Sequence, residues 1–111
     1  MTIVTVVETP EFQRRAHAIM SNDERLGLID FIARNPGAGV SIGSGIRKVR
    51  FARDGGGKSG GYRVIHFYCE DDAVPIFLIT VFAKNEKDNL SKGERNVLAK
   101  VARALRDTYG D

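Results

Sequence analysis

The stretch Lys58–Leu90, KSGGYRVIHFYCEDDAVPIFLITVFAKNEKDNL, decides the fold. It reads as a β-hairpin. A glycine-rich lead-in feeds a run from Tyr62 to Cys69, the acidic turn Glu70-Asp71-Asp72 follows, and a second run extends from Ile76 to Ala83. The second run is apolar on both parities, with Ile76, Leu78 and Phe82 on one and Phe77, Ile79 and Val81 on the other. A strand apolar on both faces belongs in the interior of a sheet. Antiparallel pairing sets the start of one strand beside the end of the next. Arg63 and Lys84 are therefore expected together at one end of the hairpin, on a cationic rim.

Upstream, Ile46–Arg53 (IRKVRFAR) reads as a basic strand with Ile46, Val49 and Phe51 apolar. The change of parity between Ile46 and Val49 predicts a bulge there. Asp54–Gly61 is a loop with five glycines and Lys58, and Gly37–Gly45 also reads as a loop. Ile3–Val7 is rich in β-branched residues and predicts a first strand. Thr9 followed by Pro10 marks a helix start. Ser21 with Glu24 forms a capping box for a second helix, which Asn35-Pro36-Gly37 ends. Downstream, Ser91 with Glu94 opens a last helix striped by Val97, Leu98, Val101, Leu105 and Tyr109. The expected order is β-α-α-β-β-β-α, an α+β fold. Its mostly antiparallel four-stranded sheet would carry an N-terminal helical hairpin and a C-terminal helix. The strand Ile76–Ala83 should lie inside the sheet, with the first strand at its other side.

The 111 residues predict one domain spanning 1–111. A hydrophobic content of 42% supports one modest core. The net charge of +3 is mild, but its distribution is not. Between Arg47 and Arg63 stand six cations (Arg47, Lys48, Arg50, Arg53, Lys58, Arg63) against one anion, Asp54. Two explanations compete, a solvated surface run and a polyanion partner. Cys69 is the one cysteine, so no internal disulfide can form, and a reducing compartment is expected. There is no apolar run of membrane-spanning length and no signal-peptide pattern at the start, so a cytoplasmic protein is expected.

Common catalytic templates are poorly represented. His17 and His66 are the only histidines, and no His/Cys set has metal-ligand spacing, so no metal or other cofactor is expected. His17 lies on a helix and is expected at the surface. His66 has the opposite strand parity from Arg63 and is expected to be a satisfied strand histidine rather than a partner of Arg63. GGGKSGG lacks the GxxxxGK[ST] spacing and a following helix, which excludes a nucleotide-binding P-loop. What remains is clustered Lys and Arg. Such a cluster can cleave RNA by in-line attack of a ribose 2′-hydroxyl. Arginine stabilises charge on phosphorus, and a lysine crowded by cations has a lowered pKa and can carry a proton. The same cluster can also bind nucleic acid with no chemistry, and the residues alone leave both open.

Three segments, IRKVRFA, GKSGGYRVIHFY and FLITVFAKNEKDNLS, together resemble the RelE/ParE toxin superfamily, and within it the HigB-like toxins. The resemblance covers roughly residues 42 to 98 in motif and the whole chain in element order. It implies the toxin of a type II toxin–antitoxin pair, a ribosome-dependent endonuclease that cuts mRNA codons in the A site. It also implies a cognate antitoxin, often a helix-turn-helix DNA-binding protein through which operator DNA would be reached. Arg63 matches the strand arginine that contacts the scissile phosphate. Lys84 stands at the strand end where the family places a catalytic cation or acid, and Lys58 matches a loop lysine. Arg47, Lys48 and Arg50 match the basic strand, and Lys87 joins them as an expected RNA- or ribosome-binding residue. Some relatives use a C-terminal histidine or tyrosine, but Tyr109 has core spacing, and His66 stands where related sequences carry an aromatic. The general acid and base stay unassigned. Two other functions fit the same features: a ParE-like toxin that poisons DNA gyrase without cleaving RNA, and a non-catalytic RNA- or ribosome-binding module.

Overall fold

A computed structural model describes residues 4–52, 61–70, 74–84 and 90–109. These form, in order, β1 (Val6–Glu8), α1 (Pro10–Ile19), α2 (Asn22–Arg34), β2 (Val40–Gly43), β3 (Ile46–Phe51), β4 (Tyr62–Phe67), β5 (Ile76–Ala83) and α3 (Lys92–Tyr109). The helix starts follow the capping signals. The Thr9 hydroxyl accepts from the Phe12 N–H at 3.1 Å, with Pro10 in the first turn. Ser21 and Glu24 exchange both bonds of a capping box, as do Ser91 and Glu94. Thr9 also approaches the Leu78 and Ile79 carbonyls at 2.9 and 3.0 Å, fastening the start of α1 to β5.

The strands lie in the order β1-β5-β4-β3-β2. β1 pairs with β5 in parallel, and the other three pairings are antiparallel. The sheet is thus five-stranded and mixed, which corrects the expected four-stranded, mostly antiparallel one. The extra strand, β2, lies inside the glycine-rich segment expected to be a loop. Its two apolar residues, Val40 and Ile42, carry too short an alternation to separate a strand from a loop. Strand β1 is shorter than the expected Ile3–Val7 and ends one residue later, and it flanks β5, as anticipated.

Register decides which side chains share a face. The β3–β4 pairing runs without a break from Ile46↔Phe67 to Phe51↔Tyr62, so the bulge expected in β3 is absent. Ile46 and Val49 instead serve opposite faces. Irregularities fall in β2, between Ser41 and Gly43, and in β5, where Ile65 pairs with Thr80 but His66 with Leu78. Ile79 is left as the extra residue. That bulge exchanges the parity of β5. Val81 joins Ile76 and Leu78 beneath α1 and α2, while Phe82 joins Phe77 and Ile79 beneath α3.

The sheet therefore has a core on each face. Phe12, Ala16, Leu28 and Ile32 of the helical hairpin pack on Val49, Tyr62, Val64 and Leu78. Leu98 and Ala102 of α3 pack on Ile65, Phe67, Phe77 and Phe82. Each large apolar side chain so buried contributes about 1.5–3 kcal/mol. No helix among the described residues is long and apolar enough to cross a membrane.

Candidate functional site

Strand alternation divides the cations of β3. Lys48 and Arg50 share the parity of Ile46, which packs on the α3 side, whereas Arg47 shares the parity of Val49, which packs under the helical hairpin. On β4, Arg63 shares the parity of Ile65 and Phe67 and lies on the α3 side. Arg63 stands directly opposite Arg50 on β3 and Phe82 on β5. Lys48 is opposite Ile65, the next residue of that face. Arg63 is only 4% exposed, while Arg50 is exposed and Lys48 half-buried. The resulting α3-side patch sets a buried guanidinium against an exposed one across the ladder. Like charges directly opposite each other are destabilising in a sheet, and an anion held between the two guanidinium groups would offset that repulsion.

Lys84 follows β5. Its N–H donates to the Gly61 carbonyl at 3.1 Å, one step beyond the Tyr62↔Ala83 pair, so its backbone lies at the Arg63 end of the hairpin, as the antiparallel reading requires. Its side chain is half-buried. Lys58 and Lys87 lie outside the described residues.

Arg47 is separated from this patch by the sheet itself. Its Nε donates to the Ala38 carbonyl at 3.1 Å and a terminal nitrogen to the Gly39 carbonyl at 2.8 Å. Its cross-strand neighbour His66 is fully buried, with Nε2 2.8 Å from the Pro36 carbonyl. A carbonyl only accepts, so Nε2 carries the proton and Nδ1 is bare. Nδ1 has no hydrogen-bond partner among the described residues. Burial holds the imidazole pKa below its ordinary value of 6.5; the Pro36 bond works against that, and the Arg47 charge adds to it. His66 thus shares no site with Arg63, as its parity implied, but among the described residues only one of its two nitrogens is satisfied. His17 is exposed on α1. Tyr109 packs against Phe77, its ring tilted by 48° with centroids 5.4 Å apart. Phe77 pairs with Phe67, at the opposite end of the hairpin from Arg63, so Tyr109 packs far along the ladder from the cations.

Three features escaped the sequence. The Tyr62 hydroxyl, behind Arg63 on the other face, reaches the Ile19 carbonyl at 2.9 Å and the buried Glu24 carboxylate at 3.1 and 3.2 Å. Arg15 of α1 donates to the Val81 carbonyl at 3.4 Å. A groove of about 890 Å³ runs beside Phe82, between β5 and the first turns of α3, with Glu11 and Arg15 of α1 also on its wall. Each joins elements far apart in sequence. Only Glu24 gave a signal, since an N3 carboxylate in a capping box is placed at a helix start.

The sequence of residues 4–110 matches the family described as "RelE toxin of RelE / RelB toxin-antitoxin system". The match spans the basic strand, the hairpin and all three helices, and by it the chain belongs to the RelE toxin family.

Proposed function

We propose that this chain is the toxin of a type II toxin–antitoxin pair, in the HigB-like branch, and that it acts in the cytoplasm as a metal-independent endoribonuclease on mRNA in the ribosomal A site. The observation that carries the proposal is Arg63, a nearly buried guanidinium facing Arg50 on the α3 side, in a member of the RelE toxin family. A phosphodiester fits that place. In the reaction a ribose 2′-hydroxyl loses its proton and attacks the adjacent phosphorus. The bond from phosphorus to the 5′ oxygen breaks, and that oxygen takes up a proton. The products are a 2′,3′-cyclic phosphate and a 5′-hydroxyl. Arg63 stabilises the charge that builds on the phosphoryl oxygens. Lys48 and Arg50 hold neighbouring phosphates, and Lys58 and Lys87 extend that contact. Lys84, at the same end of the hairpin, exchanges a proton with the reacting groups. The partner that silences the toxin is a cognate antitoxin with a helix-turn-helix domain, which also supplies contact with operator DNA.

The first test is induced expression followed by mapping of mRNA 5′ ends on translating ribosomes. Cleavage should fall within A-site codons, and the new ends should carry hydroxyls. Growth arrest with intact mRNA and broken gyrase–DNA complexes would instead mark a gyrase poison. The second test is Lys84→Met in single turnover beside a binding assay on the same ribosomes. Cleavage should stop while binding persists. If cleavage stays near wild type at saturating ribosome, Lys84 has no part in the chemistry; if both fall together, it anchors phosphate.

A further inference from the structure

The segment Pro36–Gly39 leaves α2 and enters β2, the edge strand. Two side chains from the interior of the sheet hold it. Arg47 of β3 takes the Ala38 and Gly39 carbonyls, and His66 of β4, directly across the ladder, takes the Pro36 carbonyl. The fit is close. Gly39 has φ +88°, and any side chain there would collide with the Lys48 carbonyl, so this segment lies against the backbone of the basic strand. We propose that Arg47 and His66 form an acid-sensitive clasp that keeps Pro36–Gly39 and β2 on the sheet, and that protonation of His66 releases it.

The chemistry follows from the two nitrogens. Neutral His66 donates through Nε2 and presents a bare, buried Nδ1. Protonation would put an N–H on Nδ1 with no acceptor among the described residues, and a positive charge beside the Arg47 guanidinium. Both changes are costly in a buried site. No described neighbour offsets the new charge. On β5 the residue opposite His66 is Leu78. On α2, Asp30 and Arg34 pair with each other and are exposed. Next to the segment, the ring of Tyr68 lies against Gly37. Opening the segment relieves the strain by giving the imidazolium to water. The imidazole pKa is depressed in the folded state, chiefly by burial. The clasp therefore has its full strength above the free-histidine value near 6.5, and weakens as pH falls through that value toward the folded one. Because the segment covers the backbone of Lys48, its release would loosen the strand that carries Lys48 and Arg50. The clasp does not depend on what those cations bind.

Hydrogen exchange on the intact chain tests it, with rates corrected for the intrinsic effect of pH. Protection of residues 36–43 relative to α3 should fall about tenfold or more between pH 7.5 and 5.0. In His66→Gln, whose amide can still donate to Pro36 but cannot titrate, protection should be flat over that range. Unchanged protection in the wild type, or the same loss in both proteins, overturns the clasp. If His66→Gln does not fold, the wild-type imidazole can be titrated by nuclear magnetic resonance. An Nε2–H tautomer titrating below 6.5 supports the clasp, and an Nδ1–H tautomer or a value at or above 6.5 refutes it.

Discussion

Arg47 and Arg50 lie three residues apart on one strand, yet they end on opposite faces of the sheet in opposite surroundings. Arg47 faces the helical hairpin, and two backbone carbonyls occupy its guanidinium. Arg50 is exposed on the other side, across the ladder from Arg63. The neighbours on β4 divide the same way. Tyr62 and His66 turn toward α1 and α2 and bind backbone and a buried carboxylate, whereas Arg63 turns toward α3. One face uses its polar groups to hold the fold together. The other gathers charge. Identical residue types in one basic run are thus sorted by pleat parity alone.

Mutations at Arg63 and Tyr62, adjacent residues on opposite faces, should separate these roles most sharply. Arg63→Ala should lower the cleavage rate ~100-fold or more, because removing one preorganised charge opposite a transition state costs on the order of 3 kcal/mol. It should also abolish growth arrest in a protein that still folds. A folded Arg63→Ala protein that still arrests growth would break the division between the faces. Tyr62→Phe should act the other way. It removes the donor facing the buried Glu24 carboxylate, and a buried group left short of a partner costs roughly 1–3 kcal/mol. Denaturant unfolding should report that loss, with cleavage per folded molecule largely kept. A Tyr62→Phe protein of wild-type stability but no activity would mean that the helical-hairpin face takes part in function directly.

Much of this could be read from the sequence, and the failures have physical causes. Helix starts were legible because Thr9, Ser21 and Ser91 declare themselves through local bonds within three residues. The juxtaposition of Arg63 and Lys84 was legible because a hairpin fixes it. The strand β2 was not, because glycines hide alternation. The bulge at Ile79 was not, because the run is apolar on both parities and an insertion there puts no charged residue out of step. The grouping of Arg47 with Lys48 and Arg50 was a matter of reading adjacency where alternation was available: Val49 and Phe51 already placed Arg47 on their own side. The tie from Tyr62 to Glu24 spans 38 positions, and no local pattern announces it.

The smallest effect is also the finest test of the contrast within β3. Arg47→Ala removes two bonds from a charged donor to the segment entering β2. Arg47 is half-buried, so part of this loss is made good by water, and a cost of about 1 kcal/mol is expected. For a chain of this size that lowers the melting temperature by about 4 °C. It should leave the salt dependence of RNA binding unchanged, because the guanidinium is already turned toward backbone. The double substitution of Lys48 and Arg50 by Ala should do the reverse. Melting should fall only modestly, since Arg50 is exposed and its cross-strand repulsion with Arg63 is relieved, while the half-buried Lys48 gives up its own contacts. The slope of log affinity against log salt should flatten by about 1.4, since each lost contact to a single strand accounts for ~0.7. Equal slopes for the double mutant and the wild type would show that this face does not bind a phosphate backbone. A flattened slope in Arg47→Ala would show that Arg47 leaves its carbonyls to reach the RNA, and that the two faces of β3 are not independent.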